Sequence, residues 1–198
     1  VWWLIIELVG RRPSSPAVLL TALVGIWLAL ALLVPAVAKA GIEATHPVSD
    51  GAEILMIQRE AVNDAWDKPK AATMEPFLAR HPELRAYGTV TKPFEWKWYY
   101  AFQQTGDMAA EPIVRAYRKG RLARHDAAGI AALLSPASLV ERGFERLAGT
   151  DARAMIAYED SVRAYHAQLR AFHYPLLFRD PPYDPLAFEK LPRYQPQP

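Results

Sequence analysis

An uncharged stretch from Pro13 to Ala38 is the feature that most limits how this chain can fold. The segment PSSPAVLLTALVGIWLALALLVPAVA contains no Lys, Arg, Asp, Glu or His, and nearly every residue after Ala17 is apolar. A helix over 17–38 would be roughly 33 Å long, enough to cross a hydrocarbon core of about 30 Å. A surface helix of a soluble domain needs a polar face, which this segment lacks. We therefore predict a transmembrane helix over 16–38.

The charges on either side of this stretch predict its orientation. Arg11 and Arg12 precede it, whereas Lys39 alone follows it closely. Because cytoplasmic flanks carry the excess of Lys and Arg, we expect the Arg pair in the cytoplasm and the domain at 41–198 outside.

The first ten residues, VWWLIIELVG, are apolar but too short to span a membrane. We interpret 1–10 as the tail of a preceding transmembrane helix and 11–15 as a cytoplasmic hairpin. A secretory signal peptide is the competing interpretation, because cleavage after Ala38 or Ala40 is compatible with the sequence. Its apolar region would be well over the usual 7–15 residues, so we favour a retained span.

Composition narrows the function classes that fit the outer domain. Of the 23 basic and 21 acidic residues, three basic and one acidic precede residue 40, which leaves 20 of each after it. This balance offers no electrostatic footprint for nucleic acid. The absence of Cys excludes disulfides and thiolate metal sites. We predict one extramembrane domain without a cofactor.

Helix start and stop signals predict an all-α, helical-bundle-like domain. Ser49 or Asp50 can cap a first helix, and Ser135-Pro136 can begin a later one that ends at Gly149. We expect further helices to end or break where glycine or proline interrupts the pattern. Those breaks are predicted at the following positions: Gly106, Gly120, Gly129 and Pro175.

The longest predicted helix runs from Asp151 to about Tyr174, with Thr150 as its cap. Apolar residues repeat along it at alternating steps of three and four, which predicts a narrow seam that packs on another helix. The residues of this seam are Met155, Tyr158, Val162, Tyr165, Leu169 and Phe172. The Pro-rich segment from Pro175 to Pro198 is predicted to be extended and to lie along other surfaces.

Five sequence blocks, in order, resemble a known family. They are HPELRAYG, FEWKWYYAFQQ, LLSPASLVERGFERLAGTD, VRAYHAQLRAFHYPLLF and LPRY, and they cover roughly residues 80–195. They are similar to an extracytoplasmic domain of uncharacterised function in permease subunits of type-2 ABC transporters. That family is often labelled as a transport system involved in multi-copper enzyme maturation.

This resemblance implies a subunit of an ABC export system in the bacterial inner membrane, with the domain after residue 40 in the periplasm. It also implies three partners: a cytoplasmic ABC ATPase subunit, a second permease subunit and the lipid bilayer. The chain itself has no GxxxxGK[ST] phosphate-binding loop, so ATP hydrolysis is expected in the separate ATPase.

The densest cluster of candidate site residues is the aromatic run FEWKWYYAF. Its members are Phe94, Trp96, Trp98, Tyr99, Tyr100 and Phe102. Three interpretations stay open: rings that fill the core, a belt at the membrane interface, or a wall that contacts the exported molecule. Lys97 among the rings suits either of the last two, by snorkelling or by a cation–π contact.

The remaining candidates give weaker signals. His166 and His173 are seven residues apart, about 10.5 Å along a helix, which is too far for one metal ion. No GxSxG motif or convergent Ser/His/Asp set is recognisable, so we predict no enzyme. The alternatives to a permease are a membrane-anchored binding or scaffold module and, less favoured, a metal chaperone.

Overall fold

The computed structural model describes residues 2–11, 15–182 and 184–195. Within these residues the chain forms eight α-helices and no strand, which confirms the all-α prediction. The chain divides into two compact units. Unit 1 comprises Val1–Val48 and Gly120–Met155, and unit 2 comprises Ser49–Lys119 and Ile156–Pro198. Residue 1 of the predicted helix tail, residues 12–14 of the predicted hairpin, and residues 183 and 196–198 of the predicted extended segment lie outside the described residues.

Unit 1 begins with the apolar helices. Helix α1 covers Trp2–Gly10, α2 covers Pro16–Leu28, and α3 covers Val34–Thr45, with a π-helical turn at Ala29–Leu33 that joins α2 to α3. Together α2, the π turn and α3 form a continuous 30-residue helix whose most apolar window has a mean hydropathy of 2.7. No part of that window is buried, so this helix is long and apolar enough to cross a membrane.

Five further helices follow, and the two longest exceed their predicted lengths. Helix α4 is Gly51–Trp66, α5 is Lys70–Arg80, α6 is Trp96–Ala131, α7 is Pro136–Ala148 and α8 is Ala152–Arg179. Short 3₁₀ turns cover Pro82–Tyr87, Ala132–Leu134 and Pro185–Lys190. The predicted caps at Asp50 and Ser135 are confirmed, since their side chains accept from the backbone amides of Ala52 and Ser138.

Several predicted helix ends are wrong. Helix α6 continues through Gly106, Gly120 and Gly129, and also through Pro112. Gly106 shows the reason, because a Cβ atom there would lie 2.9 Å from the Gln58 carbonyl oxygen of α4. The glycine therefore permits close packing of two helices and does not terminate one.

The predicted limits of the last long helix are also wrong. Helix α8 passes through Pro175 and ends at Arg179. Tyr174 and Phe178 on either side of the proline are both buried, and their packing offsets the lost backbone hydrogen bond.

The cap of α8 is Asp151 instead of the predicted Thr150. The Asp151 carboxylate accepts from the Ala154 amide at 2.8 Å, which lowers the pKa of that carboxyl group. The Thr150 hydroxyl donates instead to the carbonyl of Glu145. The predicted end of α7 at Gly149 is confirmed, with a left-handed φ of 64°.

The core of unit 2 is built from aromatic side chains. Phe77 is fully buried, stacks on Phe178 at 5.2 Å between ring centroids and meets Tyr174 edge-on. Trp98 and Phe102 stack at 5.4 Å beside this cluster. Such ring pairs add to the stabilisation that the burial of their area provides.

Candidate binding cleft

The aromatic run at 94–102 is divided between the core of unit 2 and its surface. Trp98 and Phe102 are buried, one helical turn apart, and the Trp98 indole donates to the Thr73 hydroxyl at 3.0 Å. Tyr99 is partly buried against the same core. In contrast, Phe94, Trp96 and Tyr100 keep about half or more of their surface exposed. A helix presents residues 98 and 102 on one face and 96 and 100 on another, which explains the division.

The three exposed rings line a cleft of about 890 Å³ in unit 2. One wall is the beginning of α6, where Gln103 and Gln104 follow the aromatic residues. The opposite wall is the second half of α8, which contributes these residues: His166, Leu169, Arg170, His173, Tyr174, Leu176, Leu177 and Phe178. The size lies within the range of small-molecule sites in proteins.

The continuation of α8 beyond Pro175 is necessary for this cleft. Leu176, Leu177 and Phe178 belong to the single helical turn that follows the proline, and they line the cleft. Phe188, in the 3₁₀ turn Pro185–Lys190, adds a further ring and lies 6.0 Å from the Phe172 ring. A helix ending at Tyr174 would lack this apolar portion of the wall.

The charged residues that line the cleft comprise equal numbers of basic and acidic side chains. Lys92, Lys97 and Arg170 contribute positive charge, and the negative charge comes from Glu95, Asp107 and Asp180. The amides of Gln103 and Gln104 add neutral donors and acceptors. A wall of rings with sparse, balanced polar groups suits an uncharged or zwitterionic ligand that carries apolar or aromatic surface.

The Glu95 carboxylate is hydrogen-bonded to the backbone of the loop around it. Its carboxylate accepts from the amides of Thr91 at 2.6 Å and Lys92 at 2.8 Å, and Lys97 lies 3.1 Å away. These two backbone hydrogen bonds lower the pKa of Glu95 to about 2, and the bond from the Lys92 amide has the larger effect. Glu95 therefore fixes the loop before α6 as an anion and is poorly suited to proton transfer.

Tyr174 connects the two walls. Its hydroxyl group donates to the side-chain oxygen of Gln104 at 3.4 Å, and burial raises the pKa of the phenol. The phenol therefore stays neutral at physiological pH and ties α8 to α6 at the base of the cleft.

The histidine residues do not converge. His166 and His173 both line the cleft on exposed positions of α8. The His81 ring is tilted against that of Phe77, with 4.6 Å between the centroids, and the buried His125 lies beside Arg142 in unit 1. Among the described residues, no three His, Asp or Glu side chains lie close enough together to hold a metal ion.

The predicted seam on α8 meets the C-terminal segment along part of its length. The Tyr165 hydroxyl donates to the Pro192 carbonyl at 3.1 Å, and the Tyr165 ring lies 5.4 Å from that of Tyr194. The remaining seam residues differ in environment: Leu169 lines the cleft, Phe172 contacts Phe188, Val162 is partly buried, and Met155 and Tyr158 are exposed.

The partners of the aromatic rings were not predictable from the sequence. Gln104 and Tyr174 form a hydrogen bond although 70 residues separate them. Neither Arg170 nor Gln103 belongs to a motif with a recognisable spacing. No local signal in one sequence could have placed them opposite Trp96 and Tyr100.

A family model matches residues 52–197, which is most of the chain and all of the described part of unit 2 beyond its first three residues. The family is a domain of unknown function, DUF3526. The chain belongs to the DUF3526 family. No curated protein and no solved structure matches the sequence. The cleft, α7 and the C-terminal segment up to residue 197 lie within the DUF3526 match.

Glu95→Gln is expected to flatten the acid limb of the stability curve. A carboxyl group with a folded pKa of about 2 and an ordinary value of 4.5 stabilises the fold fully above pH 4.5. That contribution is lost as the pH falls from 4.5 towards 2. Urea unfolding in mild detergent across this range should therefore show a steeper loss for the parent chain than for the variant.

The matched control for this prediction is Glu60→Gln at an exposed position of α4. It should keep the pH dependence of the parent chain. Parallel curves for the parent and Glu95→Gln would contradict the role assigned to Glu95.

Proposed function

We propose that this chain is part of the permease subunit of an ABC export system, with the DUF3526 domain on the periplasmic side of the bacterial inner membrane. The observation that carries the proposal is the arrangement of the chain. A helix able to cross a membrane ends at Thr45, and the DUF3526 match begins seven residues later. A domain tethered this closely to a span works at the membrane surface.

The five sequence blocks support the transport role by their resemblance to permease domains. The charge balance after residue 40 and the missing phosphate-binding loop are compatible with a subunit that forms a pathway and relies on a separate ATPase. In this proposal the aromatic cleft contacts the exported molecule near its point of exit.

Co-purification tests the proposal. The natural protein, tagged at one end and expressed with its neighbouring genes, should be isolated from detergent-solubilised membranes with an ABC ATPase. A tagged, unrelated inner-membrane protein of similar abundance provides the control. A mature polypeptide that purifies and acts without any ATPase would overturn the proposal.

The cleft itself favours a second candidate, a membrane-anchored or exported binding module. Such a module needs a ligand site but no transport pathway, and the 890 Å³ cleft would supply it. N-terminal sequencing of the exported protein separates the two functions. Cleavage after Ala38 or Ala40 would remove the candidate span and is incompatible with a permease subunit.

A further inference from the structure

Helix α7 exposes its apolar face and turns part of its charged face towards the protein. Leu139, Val140, Phe144 and Leu147 lie on one side of this helix. Phe144 is 65% exposed and Leu147 is 86% exposed. A surface helix of a soluble protein has the opposite arrangement, because its apolar stripe faces the core.

The polar contacts of α7 hold it in this orientation. Arg142 donates to the carbonyl of the buried His125 at 3.0 Å, and its guanidinium approaches Gly129, where a Cβ atom would lie 3.3 Å away. The buried hydroxyl of Ser135 accepts from the Ser138 amide at the start of the helix. The outward apolar face therefore follows from a packed polar interface within unit 1.

The end of α6 and the turn before α7 add to the exposed apolar residues. Ile130, Leu133 and Leu134 are each about two-thirds exposed or more. Together with the four apolar residues of α7 they make seven exposed large apolar side chains within residues 130–147. An exposed apolar surface of this kind marks a contact with lipid or protein.

The candidate span indicates which of these covers it. Helix α7 lies against the π turn Ala29–Leu33, and Trp27 lines a shallow groove together with Val140 and Phe144. Leu33 and Ala29 are five and nine residues before Ala38, the last residue of the uncharged stretch, which corresponds to about 7–14 Å along the helix. Interfacial helices bury their apolar faces about 5–10 Å into the boundary of headgroups and acyl chains, so the Leu33 end of this contact lies within that depth and the Ala29 end lies deeper.

We propose that α7 and the preceding turn form a membrane-interface helix whose apolar face inserts into the lipid beside the candidate span. The inference rests on the proposal that Pro16–Thr45 crosses a bilayer, and it adds a second lipid contact. Glu141 and Glu145 balance Arg142 and Arg146, so insertion depends on apolar area and not on anionic lipid. Zwitterionic phosphatidylcholine vesicles therefore suffice as the bilayer.

Single-cysteine spin labelling tests this inference directly, because the chain contains no cysteine that would have to be removed. The 198-residue chain is reconstituted into phosphatidylcholine vesicles with a nitroxide at Phe144→Cys, Leu147→Cys, Arg146→Cys or Leu32→Cys. All four positions are exposed, so the label replaces no core side chain. Frequent collisions with oxygen show that the nitroxide lies in lipid, and collisions with a water-soluble nickel chelate show that it lies in water.

The expected result is loss of nickel collisions with retained oxygen collisions at positions 144 and 147. The Arg146 label, on the flank of the polar face, should keep its nickel collisions. Nickel collisions at positions 144 and 147 would overturn the inference. Loss of both nickel and oxygen collisions would also overturn it, because it would show that these positions are buried in a protein contact, such as one with a second copy of the chain.

The Leu32 label keeps this failure distinct from failure of the proposed function. Position 32 lies in the π turn of the candidate span and should collide with oxygen only. Lipid exposure at 32 with water exposure at 147 overturns the interface helix and leaves the span intact. Water exposure at 32 overturns the span and the interface helix together.

Discussion

Replacing Phe77 by alanine is expected to lower the free energy of unfolding by about 3–5 kcal/mol, the usual cost of removing a buried phenylalanine side chain. Phe77 has no exposed surface, and its ring contacts those of His81, Tyr174 and Phe178. The substitution leaves a cavity between α5 and α8, which also form part of the support for the cleft. Urea unfolding followed by Trp fluorescence in mild detergent measures the change.

Phe94→Ala is the matched control for this prediction. It removes the same atoms from a residue of the same unit that is 48% exposed. The expected loss is under about 1 kcal/mol, because an exposed site leaves no closed cavity. Equal losses for both variants would show that the Phe77 cluster is not the core of unit 2.

Placing lysine at both Val24 and Leu28 is expected to abolish stable membrane integration. Both residues lie near the middle of the uncharged stretch, on exposed positions of α2. A lysine at the centre of a spanning helix costs about 2.5–3.5 kcal/mol, so the pair costs roughly 5–7 kcal/mol for insertion. Carbonate extraction of cell membranes should release the variant and retain the parent chain.

The control for this experiment carries the same two charges elsewhere. Leu55→Lys with Met56→Lys alters exposed apolar residues of α4, outside the candidate span. This variant should stay in the membrane fraction with the parent chain. Retention of the Val24/Leu28 variant after carbonate treatment would exclude Pro16–Thr45 as a span that inserts by its own hydrophobicity.

Local chemistry was sufficient to predict the features that depend on neighbouring residues alone. The apolar stretch, the caps at Asp50 and Ser135 and the left-handed glycine at 149 follow from side chains within a few positions of each other. These interactions form wherever the local sequence occurs, so one sequence reveals them.

The helix ends that were predicted wrongly depend on tertiary packing. Gly106 continues α6 because α4 approaches too closely for any side chain, and Pro175 stays within α8 because Tyr174 and Phe178 are buried on either side of it. The intrinsic cost of glycine or proline in a helix is about 1–3 kcal/mol, which such burial can offset. A sequence alone shows the cost and not the compensation.

The cleft was predictable only in part. Trp96 and Tyr100 belong to a run of six aromatic residues that the sequence shows plainly. Which of these rings are buried and which are exposed depends on which face of α6 packs on the core. The opposite wall, with Arg170 and His173, is about 70 residues distant along the chain. Contacts at that separation are specified by the packing of α6 on α8, which no spacing rule encodes.

The π turn at Ala29–Leu33 has an evolutionary consequence. A π turn amounts to one residue inserted into an α-helix, and it takes up that residue within a single wider turn. The side chains from Val34 to Thr45 therefore keep nearly the azimuth that they would have without the extra residue, whereas an insertion into a regular helix would rotate them by about 100°. A one-residue deletion confined to this turn is thus expected to leave the faces of α3 aligned with those of α2, so the span can differ in length by one residue between relatives without redirecting the helix that leaves it.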